Sequence, residues 1–243
     1  MEELEGPKVS IIIPFYNCPY IDQAINSALE QSYPYIEIIV VDDGSTMHAD
    51  KITPFLDRVS YLGKANGGTA SALNHGIRQA TGQYVVWLSS DDLFYPDKVR
   101  NQLAFMQKNQ AMISYTSFDE IDDQRRFLNF SAGMRFRNYR EFITCWLKHD
   151  PINGCTVMIQ KGMFTHIGYF DESLPFTHDY DLWIRFILNG IPIHFVDESL
   201  TKYRWHEQMG TKKHWPEIER EIAFIQSKYK LQLEAIIAHM EVE

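Results

Sequence analysis

Two adjacent aspartates, Asp91 and Asp92, follow directly on the apolar segment QYVVWLSS. Two ionised carboxyl groups side by side repel each other and raise each other's pKa unless a cation or hydrogen-bond donors compensate. Oxygen ligands of this kind suit a hard divalent ion, Mn²⁺ or Mg²⁺. The pair therefore predicts a metal site at the end of a buried strand, with Asp92 as the expected ligand.

The segments before this pair alternate between apolar runs typical of buried strands and helix-periodic runs. The predicted strands are VSIIIPFYN (9–17), IEIIVVDDGST (36–46), VSYLGK (59–64) and QYVVWL (83–88), and the predicted helices are YIDQAINSALEQ (20–31) and TASALNHGIRQA (69–80). This alternation predicts a doubly wound α/β fold, whose ligands bind beyond the carboxyl ends of the strands. Polar pairs follow three of the four strands, at 16–17, 42–43 and 91–92, and are expected to converge there.

The chain after residue 96 continues with a second set of elements on the same sheet. Helices are predicted at 97–109 and 177–190, strands at 111–121 and 154–160, and a strand-rich region at 192–206. We expect one domain over 8–206, with halves at 8–95 and 96–206, and a helical extension at 207–243. The apolar stripe of that last helix predicts packing on its own domain, or else a dimer or membrane-surface contact, and the sequence does not separate these.

Composition narrows the classes of partner. A formal net charge of −9 disfavours nucleic acid, which needs a basic surface. There is no apolar run long enough to span a membrane, and MEELEGPK lacks the profile of a secretory signal, so we expect a cytoplasmic protein. The three cysteines lack paired CxxC spacing and are expected to be free thiols. Neither a GxxxxGK[ST] loop nor a GxGxxG follows the first strand, so a diphosphate would need the metal as its counter-charge.

Five segments in order resemble a known family. VSIIIPFYN, IIVVDDGST, NGGTASALNHGI, GQYVVWLSSDD and HDYDLWIR are similar to the inverting glycosyltransferases of the GT-A fold, family 2, over about residues 8–206. The resemblance implies a Rossmann-like, mostly parallel sheet flanked by helices, with a nucleotide-binding first half and an acceptor-binding second half. It further implies a metal-dependent transfer of a sugar from a nucleotide diphosphate to a hydroxyl, in the synthesis of bacterial surface polysaccharide or glycoconjugates.

The resemblance assigns roles to individual positions of this sequence. The implied donor-binding residues are Pro14, Tyr16, Asn17, Asp43, Asn66, Gly67, Asn74 and Asp91. Asp43 would accept from the base, which favours a uridine or thymidine donor. Asp92 would bind the Mn²⁺ or Mg²⁺ that bridges the diphosphate, and His206, in YRWH, would join the metal or the diphosphate.

The resemblance also places a catalytic base. Asp179 matches the carboxylate that deprotonates the acceptor hydroxyl, and His178 replaces the usual glutamate on the acceptor side. Asp181 is expected to cap the helix. The acceptor, a glycan or a lipid-linked or protein-linked sugar, would bind a site shaped by 136–155, and peripheral membrane association is left open. Two alternatives also remain: a nucleotidyltransferase of the same fold, and a catalytically inactive sugar-nucleotide binding module.

Overall fold

The computed structural model describes residues 6–240, and the strands in that range join one sheet. The strands are β1 (Val9–Phe15), β2 (Ile36–Asp42), β3 (Ser60–Gly63), β4 (Tyr84–Trp87), β5 (Leu93–Phe94), β6 (Ile113–Ile121), β7 (Phe127–Asn129), β8 (Met158–Gln160) and β9 (Ile193–Arg204). The helices are α1 (Ile21–Leu29), α2 (Gly68–Gln79), α3 (Lys98–Lys108), α4 (Tyr139–Cys145), α5 (Met163–Ile167), α6 (His178–Leu188), α7 (Gly210–Lys213) and α8 (Trp215–His239). Short 3₁₀ segments lie at Ala49–Phe55 and Gly154–Thr156.

The strand order is β3-β2-β1-β4-β8-β6-β9-β5, with β7 paired to β6 outside this path. β3, β2, β1 and β4 run parallel, as do β6 and β9, whereas β8 is antiparallel to both its neighbours. The predicted α/β architecture with a mostly parallel sheet is therefore confirmed. Because β1 lies between β2 and β4, the ends of these three strands meet at one edge of the sheet.

Strand β1 is buried along its whole length, and its side chains alternate between two apolar cores. Ile12 belongs to the core under α2, whereas Ile11 and Ile13 belong to the core under α1 and α3. Helix α2 approaches the sheet so closely that a Cβ at Gly76 would lie 2.6 Å from Ile12. That close packing fixes the start of α2 relative to the strand ends.

The second half departs from the sequence prediction in its short elements. The predicted strand at 154–160 is a 3₁₀ turn followed by the three-residue β8, and α4, α5 and β7 were not predicted, nor was β5 at the end of the first half. The last helix was predicted, and its stripe of Ile218, Ile225, Tyr229 and Leu233 is buried. Helix α8 packs on α4 and α6, so the stripe lies on its own domain. Among the residues described, no helix is both long and apolar enough to cross a membrane.

Candidate active site

A cavity of about 660 Å³ lies at the carboxyl edge of β1, β2 and β4. Seven of the predicted site residues line it: Pro14, Tyr16, Asn17, Asp43, Asn66, Asp91 and His206. The convergence of three strand ends, expected from the topology, brings these side chains together. The far wall comes from the segment after β9, through Met209, Gly210, Lys213 and His214.

Asn17 ties the end of β1 to the loop after β2. Its backbone is left-handed, with φ 51°, a conformation that asparagine tolerates better than most residues. Its side-chain Oδ1 accepts from the backbone N–H groups of Thr46 and Met47, both at 2.8 Å, and its own N–H donates to Ser45 Oγ at 3.0 Å. Asn17 therefore holds two walls of the cavity in register.

Asp43 is 3% exposed and fastens the start of α2. Its carboxylate accepts from the backbone N–H groups of Gly67 and Gly68, at 3.0 Å and 2.7 Å, and from Lys64 Nζ at 2.5 Å. Asn66 donates to the backbone carbonyl of the same residue. Asp43 thus lines the cavity while its carboxylate is already bonded within the chain, so a base N–H would have to share these oxygens.

Asn74 and Gly67 do not line the cavity. Asn74 is 1% exposed and forms hydrogen bonds in both directions with the backbone of Phe170, at 2.9 Å and 3.0 Å, and donates to Glu172. The side chain joins α2 to the loop before α6. Asn74 was expected to contact the donor, and the structure places its amide in the interior, where these partners hold it away from the cavity.

Asp91 is the member of the acidic pair that faces the cavity. Its Oδ2 lies 3.0 Å from Nε2 of His206, which lines the same cavity. The imidazole packs edge-on against Tyr20, with ring centroids 5.2 Å apart. A carboxylate and an imidazole therefore present an oxygen and a nitrogen to one point of the cavity wall.

Asp92 points the other way, into the protein. It is 1% exposed, its Oδ1 accepts from the backbone N–H of Arg204 at 2.8 Å, and its buried Oδ2 has no hydrogen-bond partner among the described residues. Burial and the neighbouring Asp91 raise the pKa of Asp92 well above its usual range, which favours the protonated form. The geometry therefore does not support Asp92 as the metal ligand, because its carboxyl group does not reach the cavity.

Arg204 braces the loop that carries both acids. The guanidinium is 1% exposed, donates from Nε to the backbone carbonyl of Asp91 at 2.6 Å and from Nη2 to Gln23 at 2.9 Å, and lies 4.3 Å from the centre of the Tyr20 ring. The sequence predicted no role for Arg204, which appeared only as one residue of the motif YRWH that contains His206. Its bracing role depends on β9 pairing with β5 beside the loop, which no local pattern indicates.

A second cavity, of about 410 Å³, adjoins the first and shares Trp87 and Ser89 with it. Asp179 lines this second cavity, as does Asp150. The structure therefore puts the predicted base Asp179 and the acidic residue Asp91 in two adjoining cavities. Sequence reasoning missed Asp150, although it lies within the segment 136–155 that was expected to shape this side.

The two carboxyl groups of the second cavity influence each other's protonation. Burial raises the pKa of Asp179, although the backbone N–H of Tyr180 donates to its Oδ1 at 2.9 Å. Burial and the charge of Asp179 raise the pKa of Asp150 well above its usual range. A carboxylate with a raised pKa is a stronger base once deprotonated, which suits it to accept a proton from a hydroxyl.

His178 does not reach either cavity. The ring is 3% exposed and lies beside Trp87 and Phe170, with centroids 5.7 Å and 5.4 Å away. Burial lowers the pKa of His178, so the neutral ring is favoured. His178 was expected to contact the acceptor, and the structure places its imidazole in the core beside these two aromatic rings.

Asp181 does not cap α6. It lies inside the helix, 1% exposed, and its carboxylate accepts from Arg185 at 2.8 Å, Lys228 at 2.8 Å and Tyr229 at 2.7 Å. These bonds outweigh the effect of burial and hold its pKa below the usual value. Asp181 thereby joins α6 to α8, and the entrance of α6 is held by a different residue, Glu221.

The residues present fit a divalent metal at Asp91. The described part of the chain contains no cluster of three or more His, Cys, Asp or Glu side chains placed to hold an ion by themselves. Mg²⁺ and ions like it are ordinarily held by one or two carboxylates together with substrate phosphates and water, and neutral imidazole is a common metal ligand in proteins. Asp91 and His206 supply such a partial ligand set inside a cavity large enough for a nucleotide.

In open α/β sheets, ligands bind outside the carboxyl ends of the strands, where these two adjoining cavities lie. The sequence profile described as Glycosyl transferase family 2 matches residues 10–164. An uncharacterized glycosyltransferase of Rickettsia typhi is 43% identical over 212 residues, covering 85% of this chain and 66% of that protein. The chain belongs to glycosyltransferase family 2.

Two further proteins are similar to this chain, one in sequence and one in structure. The putative teichuronic acid biosynthesis glycosyltransferase TuaG of Bacillus subtilis is 30% identical over 218 residues, covering 86% of this chain and 83% of that protein. The crystal structure of S. aureus TarS 1–349 in complex with UDP-GlcNAc superposes with a TM-score of 0.70 at 21% identity, covering 90% of this chain and 66% of that one. The chain spans about two thirds of the Rickettsia typhi relative and 31% of a Rickettsia bellii relative.

Proposed function

We propose that the protein is a metal-dependent, inverting glycosyltransferase that moves a sugar from a UDP- or dTDP-sugar to an acceptor hydroxyl. The observation that carries the proposal is the pair of adjoining cavities, with Asp91 and His206 in one and Asp179 in the other. The solved TarS complexes with UDP and UDP-GlcNAc support a uridine donor by analogy. The relative named for teichuronic acid biosynthesis supports a role in surface glycan synthesis.

The donor would occupy the larger cavity. Tyr16, half exposed at the end of β1, offers a ring for the base, and Asp43 and Asn66 lie deeper along the wall. Asp91 and His206 would hold the Mn²⁺ or Mg²⁺ ion. When bound, that ion would supply positive charge next to the diphosphate. The sequence has no phosphate-binding glycine loop that would bind the diphosphate instead.

The chemical step of the transfer depends on Asp179, which lines the second cavity. The acceptor hydroxyl gives its proton to the carboxylate of Asp179 while its oxygen forms a bond to the anomeric carbon. The bond from that carbon to the diphosphate oxygen breaks, and the diphosphate leaves with the electron pair. Because attack and departure occur on opposite faces, one displacement inverts the anomeric configuration, and one base is sufficient.

The proposal extends to the acceptor, the cellular location and the association of the protein. The acceptor, a glycan or a lipid-linked or protein-linked sugar, would enter through the cavity beside Asp150. A cytoplasmic location, peripheral association with a membrane and self-association through α8 are proposals as well. The apolar stripe of α8 already packs within its own domain, and the exposed large apolar side chains of this helix are Trp215, Phe224 and Leu231.

The proposal is tested by assaying purified protein with UDP-GlcNAc, UDP-glucose and dTDP-glucose, with simple glycosides or water as acceptor, in Mn²⁺ and in EDTA. We expect turnover with at least one donor in Mn²⁺, none in EDTA, and a β-linked product from the α-linked donor by NMR. Binding of sugar nucleotides without turnover would indicate an inactive binding module instead. Retention of configuration, or turnover unaffected by EDTA, would overturn the corresponding part of the mechanism.

A further inference from the structure

Glu221, on the C-terminal helix α8, reaches the entrance of the helix that carries Asp179. Its Oε2 accepts three hydrogen bonds: from the backbone N–H of Phe176 at 3.1 Å, the backbone N–H of Thr177 at 3.0 Å, and the Thr177 hydroxyl at 2.8 Å. Thr177 is buried and Glu221 is half-buried. One carboxylate from a distant part of the chain therefore satisfies three donors immediately before α6.

These three donors stand between the two cavities. Phe176 lines the donor cavity, and its ring stacks on His214 at 4.7 Å, whereas Asp179, three residues on, lines the second cavity. A shift of the α6 entrance would move both walls at once. Glu221 is thus attached at the point where the chain passes from one cavity to the other.

The rest of α8 strengthens this attachment. About two turns further along α8, Lys228 and Tyr229 both donate to Asp181 of α6. The two helices are therefore joined by polar bonds at the entrance and inside the first turns of α6. Because buried hydrogen bonds to a charged group are stronger than neutral ones, this contact orients α6 as well as packing it.

The local sequence of α6 provides no substitute for Glu221. The Thr177 hydroxyl is already a donor to Glu221, and Asp181 is turned toward α8. His178, at the position where a glutamate was expected from the resemblance, is a neutral ring in the aromatic core. The carboxylate near the helix entrance comes instead from residue 221, beyond the segment matched by the family profile.

We infer that Glu221 is a positioning residue for the transfer reaction, which fixes Asp179 relative to the donor cavity through the Phe176–Thr177 backbone. The inference rests on the proposed function. It makes α8 a part of the catalytic apparatus rather than an appendage. A variant that lacks Glu221 should still bind the donor, but its Asp179 should be poorly placed to accept the proton.

The negative charge of Glu221 should affect the pH dependence of kcat, which a residue that acted by packing alone would not do. The groups that act on Asp179 electrostatically are His178, Asp150 and Glu221, and the negative charge of Glu221 contributes to raising the pKa of Asp179. The base must be deprotonated, so kcat falls as the pH drops through that pKa. Removal of the Glu221 charge should therefore move the acidic limb of the kcat profile to lower pH.

The experiment compares Glu221→Ala, Glu221→Gln and, as the matched control on an exposed position of the same helix, Glu219→Ala. With UDP-GlcNAc and Mn²⁺, or whichever donor turns over, we expect Glu221→Ala to lower kcat by about ten- to a hundredfold with KM for the donor changed much less. Glu221→Gln can still accept the hydrogen bonds and should recover part of kcat, with the acidic limb shifted to lower pH. The control should match the wild type in both.

Hydrogen exchange provides a readout that does not depend on turnover. The amides of Phe176 and Thr177 should lose protection in Glu221→Ala and keep it in Glu219→Ala. If the wild type shows no transfer with any donor, the proposed function fails while this measurement still reports the anchoring. If the wild type is active and Glu221→Gln has unchanged kcat and an unchanged pH profile, the positioning role is refuted.

Discussion

The carboxylate of Asp91 and the imidazole of His206 lie 3.0 Å apart although 115 residues separate them in the chain. The contact exists because β9 ends beside the loop after β4, where the Arg204 guanidinium donates to the backbone carbonyl of Asp91 and the Arg204 backbone N–H donates to the carboxyl group of Asp92. Asp92, adjacent in sequence to Asp91, is excluded from the cavity by the same bonds. Two aspartates with identical chemistry thus lie in different surroundings, Asp91 at the cavity and Asp92 in the interior, because their side chains leave the loop in different directions.

The first prediction separates these two aspartates. Asp91→Asn should weaken Mn²⁺-dependent binding of UDP by at least about tenfold, because changes to groups that merely support a metal ligand already cost 10–100-fold in affinity. Asp92→Asn should leave the manganese dependence intact, because its side chain is buried and favours the neutral form. Isothermal titration of UDP with and without Mn²⁺ measures both. Loss of the dependence in Asp92→Asn alone would restore the original assignment.

The second prediction concerns the base. Asp179→Asn keeps the shape of the side chain and removes its ability to take a proton, so kcat should fall by about 10²- to 10⁴-fold. Donor binding, measured by titration of UDP in Mn²⁺, should be within about twofold of wild type because Asp179 does not line the donor cavity. The control is Asp171→Asn in the loop before α6, which should retain activity. Near-normal turnover in Asp179→Asn would remove Asp179 from the base role.

The third prediction concerns Asp150, which lines the second cavity together with Asp179. Burial raises the pKa of both Asp150 and Asp179, and a negative charge on one disfavours ionisation of the other. Asp150→Asn removes that repulsion, so the pKa of Asp179 should fall and the acidic limb of the kcat profile should move to lower pH. A profile of kcat between pH 5 and 8 measures the shift. A limb that stays in place, or moves to higher pH, would show that the two groups do not interact in the working enzyme.

The sequence was informative wherever function and secondary structure share one local pattern. The apolar strands followed by polar residues predicted the parallel half of the sheet and the convergence of Tyr16, Asn17 and Asp91, because strand topology alone sends their ends to one edge. Helix α8 was also predicted, since a long periodic stripe is a strong local signal.

The sequence could not indicate which way a polar side chain turns. Asp92, Asn74 and His178 all match positions of the family motifs, yet each is drawn inward by a partner distant in the chain: the Arg204 backbone, the Phe170 backbone and the Trp87 ring. The same applies to Glu221, whose polar neighbours on an exposed helix give it no distinguishing pattern. Such contacts depend on tertiary packing, which overrides the expectations of local sequence.

The fourth prediction distinguishes a structural from a donor-binding role for Asn74. Asn74→Ala deletes its bonds to Phe170 and Glu172 and leaves buried backbone groups unpaired, which should cost roughly 1–3 kcal/mol of unfolding free energy. The affinity for UDP in Mn²⁺ should remain unchanged because the amide lies outside the donor cavity. Urea denaturation and UDP titration measure the two quantities, with Gln79→Ala, exposed on the same helix, as the matched control. A stable Asn74→Ala variant that has lost affinity for UDP would return Asn74 to the donor site.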